Sequence, residues 1–338
     1  MNTPIHIEHT TNCQPHPWHP SVVYFKNKWS GYHFWMVETP YPPFHIDPYV
    51  DRYELPCIHF SNDGLSWHSI DSNPIDDLTL DDIQQKNYYS DPHLVFKNGI
   101  LECFYRFTIL NQEDINERRT ILYKKSSRDG GIWSPKEIVL DTLREDDVAK
   151  WGTEVVSPAI IWTGDKYVCW YVDANGKSSN RNIRKIESVD GQVWEVSKIC
   201  VIDGKTVVPW HIDVIYDNGC YRLIVYEMPG ACLSYYESLD GINFVHKCDV
   251  LKPSGRKYDF YSRSLYRACI VPVNNMYHIY FSASTDTESS IGVLKTDDFQ
   301  KYSLINGQFA LKYKGFRYFL NYLFWLLKRR VRKLLLPK

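Results

Sequence analysis

A five-bladed β-propeller is the fold this sequence predicts, on three observations: a turn phrase that returns five times, a strand pair that returns between the phrases, and a composition suited to buried strands. The phrase is Ser61-Asn62-Asp63-Gly64-Leu65-Ser66-Trp67, and it recurs at Ser127 to Trp133, Ser188 to Trp194 and Ser238 to Phe244. A degenerate copy runs from Lys295 to Tyr302. The aspartates fall at 63, 129, 190, 240 and 297, a spacing of 50 to 66 residues that accommodates a four-stranded blade with loop insertions. The chemistry of the phrase is that of a turn: Ser and Asp oxygens accept nearby backbone N–H groups, Gly supplies positive φ, and the closing aromatic anchors the hairpin.

The second repeat supplies the two inner strands of each blade. It opens at Trp18-His19-Pro20-Ser21, Ser90-Asp91-Pro92-His93, Val156-Ser157-Pro158, His211-Ile212-Asp213 and Tyr266-Arg267-Ala268, and each opening leads into alternating apolar residues. The return strands include 32–37, 101–107, 167–172, 221–227 and 276–282. An innermost propeller strand begins at the rim of the central channel, so the five openings converge on one funnel.

Of 338 residues, 44% are hydrophobic and 15% aromatic, with 25 Tyr and 11 Trp, which suits one large all-β domain. No Gly/Ser-rich or Pro-rich linker divides the chain, and the propeller is expected over residues 1–311. The nine Cys are irregularly spaced, and Cys103, Cys169 and Cys269 sit in apolar strands, which reads as buried thiols in a reducing compartment. The first eleven residues carry neither the basic nor the apolar region of a secretory signal.

Residues 312–338 differ in kind. They hold nine of the 39 Lys and Arg and no acid, so the rest of the chain carries 40 acidic against 30 basic side chains. Phe316, Phe319, Leu320, Leu323 and Leu327 follow helical spacing, flanked by Arg317, Lys328, Arg329 and Arg330. The uncharged run from Tyr318 to Leu327 falls well short of the roughly 20 residues that cross a bilayer. The expectation is an amphipathic α-helix lying on an anionic membrane surface, with docking on the propeller's own acidic surface as the alternative. An acidic body with its excess base confined to an apolar helix argues against a nucleic-acid partner. A cytoplasmic location, peripheral on the inner face of the cell membrane, follows from the missing signal and the basic tail.

The funnel openings mix carboxylates, imidazoles and guanidiniums: His19, Asp91, Ser157, His211 with Asp213, and Tyr266 with Arg267, with Glu154 and Arg263 a few residues upstream. Packing alone does not account for that mixture. Structural roles stand beside the functional ones: Asp91 as a turn cap, His19 packed between Trp18 and Trp35, Asp213 in a salt bridge, Glu154 on an outer loop. Glu54 lies within the blade-one insertion, Pro40 to Pro56, whose aromatics and prolines suit a sugar-binding lip, and fixing that insertion is its structural role. His16 and His19 have no third convergent ligand in the sequence, so neither metal nor cofactor is expected.

The turn phrase resembles the Asp-box hairpin of sialidase-like propellers. Asp91-Pro92 at a strand opening, with Trp18-His19-Pro20 and Ser157-Pro158 at two others, resembles the five-bladed glycoside hydrolases that include arabinanases, xylosidases, invertases and mannoside phosphorylases. Glu38-Thr39-Pro40-Tyr41-Pro42, followed by Glu54-Leu55-Pro56 and an Asp-box, also resembles an uncharacterised bacterial and phage group of such propellers. The likeness covers most of residues 15–310 through short motifs. It implies catalysis by Asp91 with Glu154 or Asp213 as acid, since glycosidic chemistry needs two carboxyl groups. At the first blade, His19 stands where the family has Asp. Together with Glu54, Arg106, His211, Arg263, Tyr266 and Arg267, His19 suits a sugar-phosphate or nucleotide-sugar substrate, because guanidinium forks match phosphate. The expectation is glycosyl transfer, by a glycosyltransferase or phosphorylase in bacterial surface-polysaccharide assembly. A glycoside hydrolase and a non-catalytic glycan-binding scaffold are the alternatives.

Overall fold

The structure, a computed structural model, describes residues 2–9, 14–42, 54–111, 118–174, 181–228, 231–257 and 259–307. The expected tail helix over 312–338, with Phe316, Arg317, Phe319, Leu320, Leu323, Leu327, Lys328, Arg329 and Arg330, lies outside the described residues. Among the described residues no helix is long and apolar enough to cross a membrane.

Five antiparallel sheets form the five blades. The first is built on Ser21–Trp29, Tyr32–Glu38, Cys57–Ser61 and Ser66–Ser69, and the second on Tyr88–Lys97, Ile100–Leu110, Arg118–Ser127 and Glu137–Asp141. The third contains Val155–Trp162, Tyr167–Asp173, Asn182–Ser188 and Lys198–Ile199, and the fourth Val208–Asp217, Cys220–Met228, Cys232–Ser238 and Asn243–Leu251. Ser264–Val273, Met276–Ser284, Ser289–Thr296 and Ser303–Ile305 make the fifth. Each innermost strand packs against the next, and the fifth returns to the first, so the ring closes.

Two parallel additions extend this plan: His6–Glu8 joins the first blade beside Ser66–Ser69, and Val201–Asp203 joins the fourth. The N-terminal segment also laces the ring. Ile5 donates its N–H to Ile291 O of the fifth blade (2.9 Å), and His6 donates to Leu65 O of the first (2.9 Å).

The core is five apolar slabs, one between each pair of neighbouring blades. Trp35, Val37 and Ile58 meet Tyr89, Leu94 and Tyr105 between the first and second; Phe34, Met36 and Trp67 meet Cys269, Tyr280 and Val293 where the fifth meets the first. Each fully buried side chain of this kind contributes about 1.5–3 kcal/mol, so the stability is spread around the ring. The cysteines among the described residues are all free, and most are buried.

The Asp-box turns take the form their chemistry predicts. Asp63 Oδ1 accepts the N–H groups of Leu65 and Ser66 (2.7 Å each), Ser61 Oγ accepts that of Gly64 (2.9 Å), and Trp67 Nε1 donates to Gly64 O (3.0 Å). The copies at Asp129, Asp190 and Asp240 repeat the carboxylate contacts. In the fifth copy the register differs from the sequence alignment: Asp298, not Asp297, accepts from Gln300 and Lys301, and Phe299 at φ 57° occupies the glycine position.

Candidate active site

Backbone irregularity, rather than strand alternation alone, aims the funnel side chains. The pairing register slips at the start of four inner strands, between Ser90 and His93, Val156 and Ala159, Pro209 and His211, and Leu265 and Ala268. His19, Asp91 and Ser157 hold positive φ (51°, 52°, 51°), as does Glu54 (54°), a conformation non-glycine residues seldom adopt. Bulges of this kind re-aim side chains and gather at functional sites.

The resulting cavity, about 150 Å³, is lined by His19, Tyr41, Glu54, Asp91, Arg106 and His211, with Tyr88, Ser90, Arg118, Glu154, Val156, Trp210 and Tyr266 completing the wall. Asp91 is its centre of charge. Its Oδ2 lies 3.1 Å from Arg106 Nε, and its Oδ1 lies 3.1 Å from His211 Nδ1, 3.9 Å from His19 Nε2 and 3.9 Å from Arg267 Nη1. Burial would raise this carboxyl, but the Arg106 charge, aided by the hydrogen bond from His211, outweighs it and holds Asp91 well below the usual carboxylate range.

The other groups respond mainly to burial. It pushes His19 well below the ordinary histidine value and His211 down to about 4, so both imidazoles are neutral at pH 7. It pushes Glu54 up to about 8 against the hydrogen bond from Tyr41, with the Asp91 charge adding to the rise. Thr39 Oγ1 stands 2.6 Å from His19 Nδ1 and holds the ring with Nε2 toward Asp91.

Of the residues the sequence singled out, His19, Glu54, Asp91, Arg106, Glu154, His211 and Tyr266 all line this cavity. Glu154 sits at its side with Arg118 Nη1 3.8 Å away, so it is ion-paired and not on an outer loop.

Three expected site residues are elsewhere. Asp213 lies deeper in the channel, where its Oδ2 accepts the Ile270 N–H (2.8 Å) and its Oδ1 is 3.7 Å from His93 Nδ1. It ties the fourth inner strand to the fifth and is not among the residues that line the cavity, unlike Asp91 and Glu154. Arg267 is fully buried in the same layer, its Nη2 donating to Pro158 O (3.0 Å), and offers no fork to the funnel. Arg263 is on the surface, paired with Asp286, because the chain turns away before the fifth inner strand begins.

Sequence reasoning passed over Tyr41, Tyr88, Ser90, Arg118 and Trp210. Tyr41 donates to Glu54, Trp210 Nε1 donates to Tyr266 Oη (2.7 Å), and the Arg181 guanidinium stacks 3.5 Å over the Trp210 ring. The position of Trp210 beside His211 was the available signal for it. For Tyr41 it was the Pro-rich stretch around it.

The sequence offers no third ligand beside His16 and His19. The missing third ligand comes from other blades: His19, Asp91 and His211 place one donor atom each within 4.8 Å of one another, all buried. His16 instead turns aside to accept the Ser289 N–H (3.1 Å). His211 Nε2 has no hydrogen-bond partner. A buried ionised carboxylate with an imidazole from each of two other blades is a donor set that fits a divalent cation.

No protein-family model and no curated protein sequence matches the chain. Solved structures do match in fold. An N-acetylgalactosamine deacetylase from F. plautii, in complex with blood group B trisaccharide, superposes with a TM-score of 0.70 at 18% identity, covering 87% of this chain and 94% of that one. The RS223 β-xylosidase gives 0.59 at 13% identity over 86% and 95%. A GH43_1 enzyme from Xanthomonas citri complexed with xylose gives 0.59 at 11% identity over 93% and 97%. At these identities the likeness establishes the shared five-bladed propeller.

Proposed function

We propose that this protein is a carbohydrate-active hydrolase that removes an acyl substituent from a glycan. The observation that carries this reading is the convergence of His19 Nε2, Asp91 Oδ1 and His211 Nδ1 in the funnel. A divalent cation held by these three residues would supply a Lewis acid for a carbonyl oxygen and lower the pKa of water. Thr39 fixes the His19 ring, and Arg106 fixes the second oxygen of Asp91. Glu54 keeps its proton at neutral pH at the cavity wall, where a leaving nitrogen or oxygen needs one. Trp210 and Tyr266 complete an aromatic side of the cavity wall.

The cavity is smaller than the roughly 300–1,000 Å³ of pockets that engulf a drug-sized ligand. It suits one substituent at the end of a glycan. The deacetylase among the structural neighbours supports an acyl target, and the xylosidase and the GH43_1 enzyme support the carbohydrate class.

Glycosidic hydrolysis is the second reading. Glu54 and Asp91 flank the His19 ring at 3.8 and 3.9 Å, which keeps their carboxyls within about 10 Å of each other, the range of catalytic pairs in glycosidases. Glycosyl transfer, the expectation from the sequence, has less support: Arg106 places Nε on Asp91 and Ser90, and Arg267 is sealed below the cavity, so fewer guanidiniums face the funnel than a phosphate site built on both would have.

Incubating the full chain with N- and O-acetylated oligosaccharides, with and without a chelator, separates these readings. Acetate release that stops on chelation and in His211→Ala supports deacylation. Release of reducing ends without acetate, indifferent to the chelator, replaces it with glycosidic cleavage. The membrane-surface role of residues 312–338, with the cytoplasmic location it implies, rests on their sequence. Unchanged liposome sedimentation after their deletion would overturn it.

A further inference from the structure

We propose that a second divalent-cation site, made by His9, Glu38 and His59, clamps the N-terminal segment to the first blade, and that its donor set suits zinc. It shares no residue with the funnel cluster. Glu38 ends one strand of the first blade and pairs with Cys57, so His59, two residues on, lies diagonally beside it. His9 follows the parallel strand at the blade's edge. The three donor atoms lie within 4.8 Å of one another: His59 Nε2 is 3.1 Å and His9 Nδ1 3.9 Å from the same oxygen, Glu38 Oε1. The Glu38 and His59 side chains are 0% exposed, and that of His9 is 9% exposed.

The hydrogen bonds around His59 settle which nitrogen carries its proton. Ser69 Oγ lies 2.6 Å from the Glu8 carbonyl oxygen, which only accepts, so the Ser69 hydroxyl donates there. Ser69 Oγ is then left to accept from His59 Nδ1, 2.9 Å away. A neutral His59 protonated at Nδ1 presents a bare lone pair at Nε2, aimed at a carboxylate oxygen at 3.1 Å. A cation placed between these two atoms takes a lone pair from each.

A cation held between Glu38 and His59 also engages His9 Nδ1, which is buried without a hydrogen-bond partner. Two imidazole nitrogens with one carboxylate oxygen form a His₂Glu set, and bonds of about 2.0–2.2 Å to zinc bring such donors together with small shifts. The other oxygen of Glu38 accepts the N–H of Trp18 (3.3 Å), immediately before His19. The clamp therefore steadies both the N-terminal lacing of the ring and the backbone that carries a funnel residue.

The test uses the full chain stripped of metal, titrated with Zn²⁺ by calorimetry and melted with and without it. A cation that binds only the folded state raises the melting temperature. The expected result is two equivalents in the parent protein. His9→Gln loses one equivalent and part of the zinc-dependent rise in melting temperature, while His211→Ala loses the other equivalent. Should the funnel bind no cation, the parent takes one equivalent, removed by His9→Gln and untouched by His211→Ala. Unchanged stoichiometry and zinc response in both His9→Gln and His59→Gln overturn the clamp. His9 lies beyond the last residue of an edge strand, so its replacement keeps the test usable if His59→Gln does not fold.

Discussion

His211 Nδ1 stands 3.1 Å from Asp91 Oδ1, which joins the second and fourth blades across the funnel. The other oxygen of Asp91 is held by Arg106 at 3.1 Å. Asp91 therefore has two separable jobs. Asp91→Asn keeps the shape and removes the charge, and the expected loss in kcat/KM is at least about 10³-fold. Asp91→Ala also leaves Arg106 and Arg267 as buried, uncompensated cations, and the expected further cost in urea-measured stability is about 3–5 kcal/mol. Asp91→Asn with undiminished turnover would remove Asp91 from the chemistry.

Asp213 is the control for that experiment. It is as buried as Asp91, and burial pushes its carboxyl up to about 6, but it serves the backbone of Ile270 outside the cavity. Asn offers the same acceptor at that position. The expected outcome for Asp213→Asn is kcat/KM within about threefold of the parent, because no group touching substrate changes. A loss comparable to that of Asp91→Asn would show that the deeper polar layer takes part in the reaction.

The contrast between these two aspartates shows what the sequence makes legible. Five turn phrases with their strand pairs disclose the blades because hairpin chemistry and alternation are local. The openings disclose the funnel for the same reason, and seven of the residues chosen there line one cavity. Depth along the channel is not local. His211 and Asp213 share a strand face by alternation, but only the former reaches the cavity. The cation-competent cluster was hidden because its members lie on three blades, 72 and 120 positions apart in the chain. Nor does local sequence announce positive φ at His19, Asp91 and Ser157, where tertiary contacts override a steric preference.

Adjacent glycines test the Asp-box packing. Gly130 has φ +78°, and a Cβ there would lie 2.2 Å from the Trp35 ring of the neighbouring blade; at Gly131 the nearest atom would be 3.8 Å away, with no unusual φ. Gly130→Ala combines backbone strain with overpacking and is expected to destabilise by about 2–4 kcal/mol. Gly131→Ala should stay within about 0.5 kcal/mol of the parent. Equal denaturation midpoints for the two variants would mean that the hairpin does not plug against the first blade.

The pair Arg119 and Asp141 gives stability a dependence on pH. Arg119 donates through Nε (2.8 Å) and Nη2 (2.5 Å) to the two oxygens of Asp141, which joins the outermost strand of the second blade to its neighbour. The hydrogen bonds from Arg119 lower the Asp141 carboxyl, burial opposes them, and the Leu143 N–H adds to the lowering. A carboxyl whose pKa is lower folded than unfolded binds fewer protons in the native state, so its contribution is complete above the unfolded value of about 3.9 and fades as pH falls through the folded one. Arg119 is one-third exposed, which limits the pair to about 1 kcal/mol or less. Arg119→Ala should therefore melt lower than the parent by a constant margin between pH 5 and pH 7, roughly, and the margin should shrink as the pH drops below about 4. A margin that is unchanged down to about pH 2.5 would assign the loss to packing of the Arg119 stem instead of its charge.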